Sequence, residues 1–133
     1  MVVEDDPDDL YLLLRTLERL RPGLGIISAL NGSEGLDYLQ HCEAERRPGL
    51  LILDLNMPCM DGRELLARLA LDPALRTIPA IVLTTSDQPQ DRARVEAGGA
   101  VFLSKPDSLS AMVRLMDPLL QRLMPGQPAA ALP

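Results

Sequence analysis

Five short polar clusters interrupt an otherwise apolar pattern: Glu4-Asp5-Asp6, Asn31-Gly32, Asp54, Thr84-Thr85-Ser86 and Ser104-Lys105. Four of them carry carboxylates, hydroxyls or the only lysine of the chain. Carboxylates gathered in one place repel one another unless a positive charge sits between them. A hard divalent cation meets that need, and Mg²⁺ takes a few carboxylates together with waters or phosphate oxygens. Lys105 offsets part of the remaining charge and suits a phosphoryl oxygen as a point charge. Thr85 offers a hydroxyl to another such oxygen. Asp54 is then the candidate nucleophile, a carboxylate that accepts a phosphoryl group as an acyl phosphate beside a metal. In such chemistry, charge neutralisation and positioning supply most of the rate.

Other acids have simpler explanations. Asp6, Asp8 and Asp9 read as residues that favour the dipole of a first helix, whereas Glu4 and Asp5 end a strand. Cys59 reads as a loop residue near the site, and His41 as a solvated side chain.

The clusters follow short apolar runs that alternate with segments of helical period. Met1-Val2-Val3 is a very short first strand, Gly25–Leu30 a second, and Leu50–Leu53, Ala80–Leu83 and Ala100–Leu103 the others. Leu10, Leu13, Leu14, Leu17 and Leu20 share one helical face, with Asp6 as cap and Pro7 in the first turn. Ser33 is the expected cap of a second helix, and a third follows Asp61-Gly62. The segment from Pro89 to Gly98 is a weakly apolar fourth helix. The last helix starts near Ser108 and contains Pro118, which predicts a kink or a break. Apolar strands without alternation, separated by amphipathic helices, imply an α/β fold with a doubly wound parallel sheet covered on both faces. Ligands of such sheets bind beyond the carboxyl ends of the strands, where the polar clusters lie.

At 133 residues the chain makes one domain, expected over residues 1–124, with 125–133 as a disordered tail. A net charge of −6 argues against a nucleic-acid partner. No apolar run reaches the roughly 20 residues of a membrane span, and Cys42 and Cys59 form no metal or redox motif. A reducing, cytoplasmic setting is expected.

Taken together, Val2-Val3-Glu4-Asp5-Asp6, Leu53-Asp54-Leu55-Asn56-Met57-Pro58, Met60-Asp61-Gly62, Thr85-Ser86 and Lys105-Pro106 resemble the receiver domain of two-component response regulators. The resemblance implies a flavodoxin-like, five-stranded sheet in order 2-1-3-4-5 with five helices. It implies Asp54 as phosphoacceptor for a sensor histidine kinase, in a protein that catalyses only its own phosphorylation and dephosphorylation. Glu4, Asp5, Asp54 and the backbone carbonyl of Asn56 would hold Mg²⁺, with Mn²⁺ as an alternative. Thr85 and Lys105 would contact the phosphoryl group. Thr85 and Phe102 would form a switch, with a plain core role as the other reading of Phe102. Asn56, Ser86 and Asp87 stand where the family tunes acyl-phosphate lifetime. Glu4 replaces the more frequent Asp, which lengthens its reach by one methylene.

The loop Leu71–Pro79 and the run Val82–Ser86 resemble stand-alone regulators of bacterial phytochrome kinases, which makes a bacteriophytochrome the expected kinase. No output domain is expected, so signalling would pass through a downstream protein or a phosphotransfer protein. Leu115, beyond the main stripe of the last helix, points to a homodimer. Two other readings are a pseudo-receiver that only binds proteins and an Asp-nucleophile phosphatase, which Asn56 disfavours by replacing the second Asp of a DxD pattern.

Overall fold

The computed structural model describes residues 1 to 126. Along the chain the elements are β1 (Val2–Val3), α1 (Pro7–Leu20), β2 (Ser28–Ala29), α2 (Gly32–His41), β3 (Leu51–Leu53), α3 (Gly62–Ala70), β4 (Ala80–Thr84), α4 (Pro89–Ala97), β5 (Val101–Ser104) and α5 (Leu109–Leu123). A 3₁₀ turn, Ala44–Arg46, lies between α2 and β3. All strand pairs are parallel, in the order β2-β1-β3-β4-β5.

The unbroken apolar runs follow from burial on both faces. Val3, Leu51, Leu53, Val82 and Phe102 pack with Leu36, Leu65 and Val95 of α2, α3 and α4. The alternate residues Val2, Ile52, Ile81 and Leu83 pack with Leu13 and Leu17 of α1 and Met112 and Met116 of α5. Both helical layers thus hold the sheet so that its carboxyl edge stays open.

Several local expectations change. Only Ser28–Ala29 of the expected second strand pairs as a strand, because its partner β1 is itself two residues long. Asn31, not Ser33, caps α2: its side chain accepts from the Glu34 N–H at 2.9 Å, and the Glu34 carboxylate accepts from the Leu30 N–H at 2.9 Å. β3 starts at Leu51, β4 runs on to Thr84, and β5 spans Val101–Ser104. Pro118 does not break α5, which continues as one helix to Leu123. The carbonyl it leaves without a helical donor belongs to Arg114, on the exposed side where water can serve it. Leu115 is half-buried and packs on the α1/α5 core, which accounts for its apolar character within one subunit. Most of the tail, residues 127–133, lies outside the described residues. Among the described residues no helix is long and apolar enough to cross a membrane.

Candidate functional site

β1 and β3 end side by side, so Glu4 and Asp54 leave the sheet next to each other, both buried with 5% of their surface exposed. The chain reverses after each strand, and the turn after β3 fixes the Asp54 carboxylate. Its Oδ1 accepts from the N–H groups of Leu55 at 2.6 Å and Asn56 at 3.4 Å. Gly62 closes this turn by donating its N–H to the Leu55 carbonyl at 2.9 Å. A Cβ at Gly62 would overlap the Asp54 carbonyl oxygen, so only glycine permits this approach.

Lys105, just past β5, brings its ammonium into the acidic pocket. Its Nζ lies 2.8 Å from Asp54 Oδ2, 3.0 Å from Glu4 Oε2 and 2.7 Å from Asp9 Oδ2. Burial works against the Lys105 ammonium, but the hydrogen bonds it donates to Asp54, Asp9 and Glu4 outweigh it and raise its pKa above the usual lysine value. Burial also pushes the Glu4 carboxyl up, against the pull of the Asp6 N–H and Lys105. The contact with Lys105 does not offset the burial of Glu4, and Asp54 and Asp9 do most to hold Lys105 charged. Carboxylate oxygens of Glu4, Asp5 and Asp54 lie within 4.8 Å of one another. Three hard oxygen donors against one ammonium are a donor set suited to a divalent cation.

A second polar assembly borders the site. Arg63, in the first turn of α3, grips Asp91 of α4 with Nε–Oδ1 at 2.7 Å and Nη2–Oδ2 at 2.6 Å. The Ser86 hydroxyl donates to Asp91 Oδ2 at 2.6 Å. Arg63 Nη1 reaches Asn56 Oδ1 at 3.4 Å. Arg63 and Ser86 hold the Asp91 carboxyl at about 2, below the ordinary 3.8. The loops after β3 and β4 are therefore tied to one buried carboxylate.

Residues 1–117 match the model of the response regulator receiver domain. The chain belongs to the response regulator receiver family. It is 33% identical over 121 residues to the response regulator Rcp1 of Synechocystis, covering 88% of this chain and 82% of Rcp1. The crystal structure of the phosphorylated cyanobacterial phytochrome response regulator RcpA superimposes with a TM-score of 0.82 at 29% identity, covering 98% of this chain and 96% of that one. The bacteriophytochrome response regulator AtBRR does so with 0.72 at 33% identity, covering 98% and 94%. A crystal structure of Rcp1 in its Mn²⁺-bound form gives 0.75 at 28% identity, covering 98% of this chain and 96% of that one.

In this receiver, Glu4, Asp5, Asp54 and Lys105 come together as expected, with Asp5 the exposed member. Other expectations shift. Thr85 is exposed, whereas Thr84 is fully buried and accepts from the Ser86 N–H at 3.1 Å. Val82 pairs with Phe102 and Thr84 with Ser104, so strand alternation gives Phe102's face to Thr84. Thr85 and Phe102 thus do not form the expected pair. The Phe102 ring is already inside, 6% exposed, with the Arg92 guanidinium carbon 4.7 Å from its centroid. Asn56 and Asp87 are exposed, and Ser86 is committed to Asp91. Asp6 does cap α1, accepting from the N–H groups of Asp8 and Asp9. Asp9 does lie in the first turn of α1, where it favours the helix dipole, and it also reaches Lys105. The signal was geometric: helical side chains tilt toward the N-terminus, so a first-turn residue overhangs the strand end. Arg63 and Asp91 carried no comparable signal.

Proposed function

We propose that this receiver accepts a phosphoryl group on Asp54 from a sensor histidine kinase in the cytoplasm, in a reaction that depends on Mg²⁺ and tolerates Mn²⁺. The observation that carries the reading is the contact of Asp54 with Lys105 inside the cluster of Glu4, Asp5 and Asp54. Glu4, Asp5, Asp54 and the Asn56 backbone carbonyl would hold the ion. When bound, the ion neutralises charge on the phosphoryl oxygens. The backbone N–H groups of Leu55 and Asn56 keep the Asp54 carboxylate oriented. A carboxylate oxygen attacks phosphorus as the P–N bond of the donor phosphohistidine breaks, and the departing imidazole nitrogen takes a proton from solvent. Lys105 moves from the Asp54 carboxylate to a phosphoryl oxygen, following the negative charge.

A hydroxyl at the end of β4 would donate to another phosphoryl oxygen. Thr85 was the expected donor, but the burial of Thr84 on Phe102's face favours Thr84. Beryllofluoride affinity separates the two: Thr84→Ala should weaken it and Thr85→Ala should not. The reverse order would restore Thr85.

The likeness to Rcp1, RcpA and AtBRR supports a bacteriophytochrome as the kinase. The output is then a changed contact with a downstream protein, or transfer to a phosphotransfer protein. A homodimer across α4, β5 and α5 belongs to the same reading, with Val101 and Leu103 as half-buried apolar residues on the edge strand. A sedimentation mass that stays monomeric with and without beryllofluoride would remove it. The kinase reading is tested by mixing the receiver with a bacteriophytochrome kinase bearing labelled phosphohistidine. Transfer within seconds to wild type but not to Asp54→Asn supports it. Rapid transfer only from an unrelated kinase rejects the phytochrome pairing, and transfer to both forms alike rejects Asp54.

A further inference from the structure

Asp9 makes the shortest of the three carboxylate contacts to Lys105, at 2.7 Å, yet it lies outside the group of oxygens that could share a metal. It projects from the first turn of α1, whereas Glu4 and Asp54 project from strand ends. This separation divides the labour around one ammonium. A cation entering between Glu4, Asp5 and Asp54 competes with Lys105 for the carboxylates of Glu4 and Asp54. Asp9 has no such second claim on its carboxylate. We propose that Asp9 is the standing counter-ion of Lys105, a positioning residue that keeps the ammonium beside the site and lets Glu4 and Asp54 turn to the metal. The inference rests on the metal-dependent phosphoacceptor reading above.

Without the Asp9 carboxylate, Lys105 settles on Glu4 and Asp54 and competes with the cation for both. Its positive charge near the ion is also less compensated. Both effects run through Lys105, which gives the inference a sharp consequence. The Asp9 side chain is 42% exposed, so solvent limits the size of the effect. Asp9→Asn should weaken Mg²⁺ binding by roughly two- to fivefold, the range of a partly exposed ion pair. Asp8 is the internal control. It is an exposed carboxylate in the same helical turn and has the same formal charge, and its backbone N–H, like that of Asp9, is held by Asp6.

The test is calorimetric titration of Mg²⁺ into wild type, Asp9→Asn, Asp9→Glu and Asp8→Asn, and into Lys105→Met with and without Asp9→Asn. Thermal melts confirm that each variant is folded. The expected result is a loss in Asp9→Asn, recovery in Asp9→Glu, little change in Asp8→Asn, and no further loss from Asp9→Asn once Lys105 is Met. Should Lys105→Met not fold, the Asp9→Glu and Asp8→Asn arms decide. Equal losses in Asp9→Asn and Asp8→Asn, or an Asp9 effect that persists without Lys105, would overturn the inference and leave only a general field effect. Absence of Mg²⁺ binding by the wild type would overturn the metal-dependent reading itself, and the inference with it.

Discussion

The buried carboxylate of Asp91 gives a prediction whose size follows from the structure. Asp91 keeps 6% of its surface exposed and accepts three charge-assisted hydrogen bonds, two from Arg63 and one from Ser86. A carboxyl held at about 2 in place of 3.8 corresponds to about 2 kcal/mol of folding stability at neutral pH. Arg63 keeps 27% of its side chain exposed, so water screens the pair from that side. The expected loss in Asp91→Asn is therefore about 1–2 kcal/mol at pH 7, below the figure for a deeply buried pair. The folded-state pKa lies below the unfolded one. The contribution is therefore complete above about pH 5 and vanishes as the pH falls through about 2. Roughly half of it should be gone by pH 3. Urea unfolding followed by far-ultraviolet circular dichroism at pH 7 and pH 3 measures the difference between the two proteins. Equal stability at pH 7, or a difference of the same size at both pH values, would refute the reasoning.

Three further outcomes follow from the same geometry. Gly62→Ala pushes a methyl group into the Asp54 carbonyl; it should cost about 1–3 kcal/mol in a thermal or urea melt and displace Asp54 enough to weaken Mg²⁺ binding. Lys105→Met leaves Glu4, Asp9 and Asp54 without their shared ammonium, so added Mg²⁺ should raise its melting temperature more than that of the wild type; an equal or smaller rise contradicts this. Cys59 holds a left-handed backbone with φ of 64°, and Cys59→Gly should stabilise the fold by about 0.5 kcal/mol once the greater freedom of the unfolded chain is counted; a less stable variant would show that the thiol makes a contribution of its own.

Asp54 and Glu4 were legible because each directly follows an apolar run, and Lys105 because it lies one residue past another; the carboxyl ends of buried parallel strands share one environment. The strand order came from family resemblance, since periodicity alone does not order strands. Thr85 was the expected donor because the family resemblance was placed on Thr85-Ser86; β4 continues to Thr84, and strand alternation turns Thr84 rather than Thr85 to the face of Phe102. Asp9 was hidden by a local explanation that accounted for its helix position but not for its reach. The Arg63–Asp91 pair spans 28 residues and joins two helices, so no local pattern records it. The weak apolar face of α4 was the one hint, and the ion pair supplies part of what its small side chains lack.

Intact mass after incubation with acetyl phosphate and Mg²⁺ tests the central claim most directly, run on wild type and Asp54→Asn. The account predicts a gain of about 80 Da on the wild type, the mass of one phosphoryl group, absent in the variant and after chelation of the metal. No gain on the wild type, or the same gain on Asp54→Asn, would contradict it.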